Sequence, residues 1–508
     1  MNRTTARLLC ALTPAALLTA CTVGPNYAEP TVARPEQWAT PPEGGLSADA
    51  PDAEQIRTWW RALGDPALDG LVTAAMAGNL DLKAARARVV EARALRGVVE
   101  ADGLPQLDAT GGYTRRRASE NVKFGGGGAG GGGGGGNTEE TDLFTAGFDA
   151  TWELDVFGRV RRGVQAADAD ILAAEATRQD VLVTLLAEVA RNYVELRAFQ
   201  QRRAIAESNI RVQQETVNLS KARFDAGLSS ELDLKRAEAQ LATTRAAIPT
   251  FAAGIRGAAH RLAVLTGRPP GALLDELTAS GPIPSVPATA RVGGPADLLR
   301  RRPDVRAAER RVAAASARVG VATADLYPRF TLNGSLSLEA STVGDLVDAN
   351  SRAFSIGPSV RWAIFSGGRI RANIAAADAR LDAVAAQYEA AVLAALENAE
   401  TAIVNYAREQ DRRDSLRRAV EAEQRAVALA TELFSKGLTD FFSVLDTQRQ
   451  LFALQDQLVE SERTVTANLI AVYKALGGGW DADLPAEAEA TPQPLPVTAR
   501  IPPTVARR

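Results

Sequence analysis

The chain has almost none of the side chains that carry ordinary enzyme chemistry. Its 508 residues include two cysteines and one histidine, His260. Cys10 falls inside an N-terminal segment with the marks of a secretory signal: Arg3 and Arg7, an apolar run from Leu8 to Leu18, then Leu18, Thr19 and Ala20 directly before Cys21. Those last four residues also read as a lipobox. The small residues suit a lipoprotein peptidase, and the Cys21 thiol is placed to receive diacylglycerol. Processing after residue 20 would leave one thiol, already committed to lipid, which excludes disulfides, Cys/His dyads and zinc ribbons. General acid–base catalysis loses its commonest reagent with histidine reduced to one.

Other absences narrow the field further. No run of 18 apolar residues follows the signal, so no membrane-spanning helix is expected. A lipid anchor would still hold the chain at a membrane. A β-barrel stays open, because strands that alternate apolar and polar residues fit a mean hydropathy of -0.10. Neither sign of charge dominates, with 58 basic and 61 acidic residues, so no nucleic-acid partner is expected. The glycine tract, Gly125 to Gly136 with Ala129 inside it, lacks the Lys-Ser/Thr of a phosphate cradle. Acidic residues lie scattered along helix faces rather than paired, which speaks against a cell-wall hydrolase, and neither cofactor nor metal is expected.

What the chain does have is an internal repeat. LDLKAA at Leu80 to Ala85 meets PDVRAA at Pro303 to Ala308, an offset of 223, and Pro105 meets Pro328 at the same offset. Further along the offset becomes 210: Trp152 meets Trp362, Gly158-Arg159 meets Gly368-Arg369, Phe224 meets Phe434, Gly227-Leu228 meets Gly437-Leu438, and Gly267 meets Gly477. The difference of 13 is an insertion in the first half, roughly accounted for by the glycine tract. The expected organisation is a signal at 1–20, an anchored N-terminal and equatorial segment at 21–78, and a first repeat at 79–267. A linker at 268–301, a second repeat at 302–477 and a Pro-rich tail at 478–508 complete it. The segments outside the repeats are expected to meet in a belt, with the extreme tail disordered.

Each repeat reads as a helix of some twenty residues, a strand pair, a very long helix, a tight turn and a returning helix. Phe330, Leu332, Leu336 and Leu338 alternate with Thr331, Asn333, Ser335, Ser337 and Glu339, a period of two over the length of a tilted membrane strand. Phe354, Ile356, Val360, Trp362 and Ile364 repeat the pattern, as do Phe144, Ala146, Phe148, Ala150, Trp152 and Leu154; Leu107 to Arg115 is less regular. The alternative is a strand half-buried in a soluble sheet. Four strands cannot close a barrel, and open edges in lipid leave backbone groups unsatisfied. Two chains would give a barrel filled by its side chains, whereas three give twelve strands and begin to leave a lumen.

The long helices are expected from about Arg159 to Phe224 and from about Arg369 to Phe434, each reaching about 100 Å. Val160, Val164, Ala167, Ile171, Ala174, Val181 and Leu185 form one seam; Ile370, Ile374, Ala377, Leu381, Val384, Ala391 and Ala395 form the other. Gly227 and Gly437 suit left-handed helix ends, Ser230 with Asp233 a capping box, and Pro249 a kink or local opening.

At this point the sequence resembles the outer-membrane efflux channel family, the TolC-like exit ducts, in its NodT-like lipoprotein branch. The matching residues are CTVGPNY at Cys21 to Tyr27, WELDVFGR at Trp152 to Arg159, RRPDV at Arg301 to Val305, WAIFSGGR at Trp362 to Arg369 and ALGGGW at Ala475 to Trp480. The resemblance implies a mainly α chain whose homotrimer forms a twelve-stranded membrane β-barrel continued by a periplasmic α-helical barrel. It implies a periplasmic adaptor and an inner-membrane RND-type transporter as partners. It also implies a gate at GLTDFFSVLDTQ, Gly437 to Gln448, with Asp446 as the constricting aspartate and Phe442 as an apolar gate residue. Ser443 stands where some relatives carry a second aspartate. Arg236, the repeat partner of Asp446, is expected to help latch the mouth; the plainer reading is that Asp446 merely caps or solvates a helix. The adaptor is expected at Gly227, Leu228, Ser229, Gly437, Leu438 and Thr439, unless those leucines pack across their own turns. A non-conducting lipoprotein that braces the periplasm is the competing reading.

Overall fold

The computed structural model describes residues 22–32, 35–117 and 140–480. Cys21, the glycine tract and the tail beyond residue 480 lie outside the described residues. Among the described residues no helix is long and apolar enough to cross a membrane.

The repeat is visible in the element order. The principal elements are α1 (Pro66–Gly78), α2 (Leu80–Ala101), β1 (Gln106–Arg116), β2 (Thr141–Leu154), α3 (Arg159–Asp225) and α4 (Glu231–Leu265), followed by α5 (Pro303–Ala324), β3 (Arg329–Ala340), β4 (Arg352–Arg361), α6 (Arg369–Ser435) and α7 (Phe441–Ala475). Paired helices have equal lengths: 22 residues for α2 and α5, 67 for α3 and α6, and 35 for α4 and α7. At about 1.5 Å per residue the 67-residue helices reach about 100 Å. Pro249 sits inside a continuous α4, so its ring is accommodated without ending the helix.

The chain divides into two compact units, and α3 and α6 contribute to both. In the first unit the four strands form one antiparallel sheet in the order β1-β2-β3-β4, with β1 and β4 as its edges. The two hairpins share one register. Leu107 faces Ala150 in the first, and their equivalents at offsets 223 and 210, Phe330 and Val360, face each other in the second. One face of the sheet is apolar and open, with Phe148, Leu336, Phe354 and Ile356 exposed. The other face is hydroxyl-rich: Thr331 lies 2.8 Å from Ser359, and Ser335 lies 3.0 Å from Ser355. Period two therefore sorts the residues as the sequence implies, with the apolar set on one side. Both strand-end tryptophans are tied alike. Trp152 donates to the Gly103 carbonyl at 2.9 Å, and Trp362 to that of Leu326 at 3.0 Å, the repeat equivalent.

A strap from the N-terminal segment crosses this unit. Arg162, buried, donates to the carbonyls of Val23 (3.1 Å) and Gly24 (3.2 Å), to Asn26 Oδ1 (2.9 Å) and to Gln165 Oε1 (3.0 Å). Gly24 lies against Gly320 so closely that a Cβ on it would sit 2.4 Å from the Gly320 Cα, and its φ of +86° favours glycine as well. Tyr27 packs on the alanine cluster Ala169, Ala313 and Ala314 and hydrogen-bonds Glu309.

The seam on α3 holds as far as the one on α6, with Val160, Ala167 and Leu185 buried and Val164, Ile171, Ala174 and Val181 half-buried, but a second buried face of Ala166, Ala169, Ala173 and Ala176 was not expected. The reason is a second neighbour: Ala169 packs on Ala313 and Ala314 of α5, so α3 covers two faces rather than one. On α6 the expected positions hold, with Ile370, Ala377 and Ala395 buried and Ile374, Leu381, Val384 and Ala391 half-buried.

In the second unit Trp59 stacks on Tyr473 at 5.4 Å, and the buried Tyr193 donates to Asp65 at 2.6 Å, while Asp65 also caps α1. The segments outside the repeats meet here: Trp38 donates to the Gly293 carbonyl at 2.7 Å, and Leu46–Ser47 pairs with Ala290–Arg291.

Candidate mouth at the hairpin ends

The second unit also holds the ends of both helical hairpins, where the sequence places its candidate gate. Each long helix stops at a glycine with positive φ, +71° at Gly227 and +72° at Gly437. The closures match: Leu228 donates to the Arg223 carbonyl at 2.8 Å, and Leu438 to that of Leu433 at 2.9 Å. This six-to-one bond satisfies carbonyls that the helix leaves open and needs a left-handed residue before it. The returning helices then start on side-chain caps. Ser230 accepts from the Asp233 N–H, and Asp440 accepts from the Ser443 N–H at 2.9 Å.

Beneath the turns the two hairpins share an apolar plug of Val217, Leu234, Leu241, Phe434, Phe441 and Val444. Phe434 and Phe441 meet at 5.4 Å, with the Arg223 guanidinium 4.6 Å over the Phe434 ring. Further along, buried polar groups interrupt the packing. Both polar atoms of Gln213, the Ser220 hydroxyl, Arg223 Nε and Gln448 Oε1 are buried without a hydrogen-bond partner among the described residues. Gln448 does donate to Thr216 at 3.1 Å. Beyond these groups the hairpins are tied by charge: Arg202 forks onto Asp456 at 2.6 and 2.9 Å, and Arg463 reaches Glu195 at 3.3 Å. A buried polar atom without a partner costs about 1–3 kcal/mol, so the seam is weakest between its charged ties and its apolar plug.

The structure brings Arg236 to Phe442, its guanidinium 5.8 Å from the ring centroid, and gives Asp446 to Arg449, 2.8 Å away and one turn along the same helix. The sequence reading missed Arg449, although its i,i+3 spacing from Asp446 is the signal for such a pair. Both partners are largely exposed, so the pair is screened and easily exchanged. Phe442 is exposed. The Ser443 hydroxyl donates to Asp440 at 2.6 Å, and the two hydrogen bonds from Ser443 hold the Asp440 carboxyl below its ordinary pKa. At the turns Leu228 and Leu438 are 69% and 70% exposed. Ser229 reaches the Ser220 carbonyl at 3.5 Å, and Thr439 the Ser443 hydroxyl at 3.3 Å.

Comparison with known proteins agrees with this geometry. The outer membrane efflux protein family matches residues 71–268 and 294–478. Nodulation protein T of Rhizobium leguminosarum bv. trifolii is 32% identical over 92% of this chain and 96% of its own length. Pyoverdine export outer membrane protein OpmQ of Pseudomonas aeruginosa is 32% identical over the same shares. The solved outer-membrane channel OprN superposes with a TM-score of 0.84 at 37% identity, over 91% of this chain and all of that one. An exposed apolar sheet face, matched glycine-closed hairpins and a family match across both repeats lead to one conclusion: the chain belongs to the outer membrane efflux protein family.

Proposed function

We propose that this outer-membrane efflux protein is the passive exit duct of a tripartite efflux system, carrying small molecules from the periplasm to the exterior. The observation that carries the reading is the four-stranded sheet with two open edges and an outward apolar face, joined to two 67-residue helices. Unpaired edges in lipid are costly, so the sheet calls for closure by further copies. A homotrimer supplies twelve strands and a lumen. The long helices then form the periplasmic tunnel, and Cys21 carries the lipid.

The gate in this reading is Asp446 with Phe442 and Arg236. Three carboxylates on a threefold axis repel one another, attract cations and release their closure when neighbouring basic groups let go. Ser443 stands where some relatives carry a second aspartate, which supports reading the ring as single. The exposed leucines at Gly227, Leu228, Ser229 and at Gly437, Leu438, Thr439 suit a periplasmic adaptor, with an RND-type transporter supplying the energy. Some relatives are named for pyoverdine export and for toluene efflux; here the transported class follows the pump partner.

Planar-bilayer recording on the full-length protein tests the reading. Asp446→Ala should raise single-channel conductance and weaken its cation selectivity. A complete absence of current from both the parent and the Asp446→Ala protein would favour a non-conducting brace.

A further inference from the structure

The two linkers that lead from the sheet into the long helices correspond in position but differ in charge balance. In the first, residues 155–158 between β2 and α3, both flanking arginines are answered within the chain. Arg159 forks onto Glu153 at 2.9 and 3.0 Å, and Arg161 reaches Asp155 at 3.3 Å. Phe157 stacks on Tyr327 with ring centroids 4.7 Å apart. The N-terminal strap covers the turn: Val23 donates to the Phe157 carbonyl at 3.2 Å, and Thr22 lies against Gly158.

The second linker, residues 362–368 between β4 and α6, keeps the arginines without their acids. At offset 210, Arg369 and Arg371 stand for Arg159 and Arg161, but Ala363 stands for Glu153 and Phe365 for Asp155. Both arginines are exposed, and neither has an ion-pair partner among the described residues. Beside them Ile364 and Phe365 are 84% and 91% exposed. Two unanswered guanidiniums next to two open apolar side chains complement a molecule that carries a phosphate and hydrocarbon together.

We infer that this patch holds an anionic outer-membrane lipid, with Arg369 and Arg371 on the headgroup phosphate and Ile364 and Phe365 among the acyl chains. This rests on the membrane reading above. That reading also supplies the depth. Cys21 directly precedes Thr22, so the chain's own lipid starts beside the first linker. Phe330 pairs with Leu154 on one side and with Val360 on the other, so both linkers leave the sheet from the same end. The first linker therefore takes the lipid that the chain carries, and the second takes a free one. A headgroup with net negative charge fits better than a zwitterionic one, whose own amine already answers its phosphate.

Native mass spectrometry of the full-length protein, released from nanodiscs holding phosphatidylglycerol and phosphatidylcholine in equal parts, counts the lipid retained. The parent should keep phosphatidylglycerol in preference. Arg369→Gln with Arg371→Gln should weaken that preference about fivefold per arginine and so about thirtyfold together. Arg380→Gln, at an exposed arginine further along α6, should not change it. Ala363→Glu with Phe365→Asp writes the first linker's carboxylates into the second, and should abolish the preference with the fold intact. Excess inorganic phosphate should leave the retained lipid in place. Displacement by phosphate would reduce the patch to a general anion site and overturn the lipid assignment. Equal retention of both lipids by the parent, or parental preference in the carboxylate variant, would overturn the site while leaving the duct standing. Arginine variants that lose the trimer with lipid preference unchanged would assign the cations to a contact between copies instead. A parent protein that enters no bilayer would remove the membrane reading and this one with it.

Discussion

Arg162 shows how much one side chain organises. Its guanidinium bonds four acceptors, three of them on a segment more than 130 positions away in sequence. Arg162→Met would strand buried carbonyls and free the strap, and the expected loss is on the order of 3 kcal/mol by denaturant titration in detergent. Limited proteolysis should then cut within residues 22–32. Arg162→Lys should rescue little, since an ammonium cannot reproduce the fork. None of this was legible in the sequence, where Arg162 reads as one more charge on a long helix. The capping box at Ser230 was legible because both members lie within one turn. So were the glycine closures, whose conformational demand is local. Asp440 and Arg449 were missed although their partners sit three residues away, because a cap or an i,i+3 pair acquires weight only once the helix start is fixed.

At the scale of elements, the ends of the helical hairpins carry both a side-chain cap and buried polar atoms without partners. Asp440 caps α7, and its carboxyl is held low by the side-chain and backbone hydrogen bonds from Ser443. A lowered folded value means that the ionised cap stabilises fully above the ordinary aspartate value of about 3.9 and is lost as pH falls through the lower folded value. The protection factor of the Ser443 amide, its exchange rate relative to the intrinsic rate at each pH, should therefore fall in acid. Asp440→Asn, which still accepts the bond, should make that protection factor insensitive to pH across the same window. The unpartnered Gln213 gives a second handle. Gln213→Leu should raise the unfolding free energy by about 1–2 kcal/mol, because it removes a desolvation cost, and should lower open-channel current if the seam parts during opening. Unchanged current with raised stability would detach the seam from gating. Helices and strands were legible because solvent imposes periods of 3.6 and two on residues facing it. The second buried face of α3 was missed because a helix with two neighbours buries two faces, and a single stripe cannot report the second.

For the molecule as a whole, each half of the chain contributes one strand to the middle of the sheet and one to an open edge. The oligomeric reading was reachable from strand counting, while the pairing of particular residues needed the observed register of β2 with β3. The roles of Asp446, Phe442 and Arg236 rest on resemblance together with the placement of Arg236 over Phe442.

The equal register of the two strand hairpins has a practical side. Twenty-four residues join β1 to β2 and eleven join β3 to β4, yet the facing pairs correspond one to one. Lengthening a loop that much costs only about 0.7 kcal/mol of closure entropy. The strand register thus tolerates a difference of 13 residues in the joint above it, and an epitope inserted between β1 and β2 is expected to leave the facing pairs beneath it unchanged.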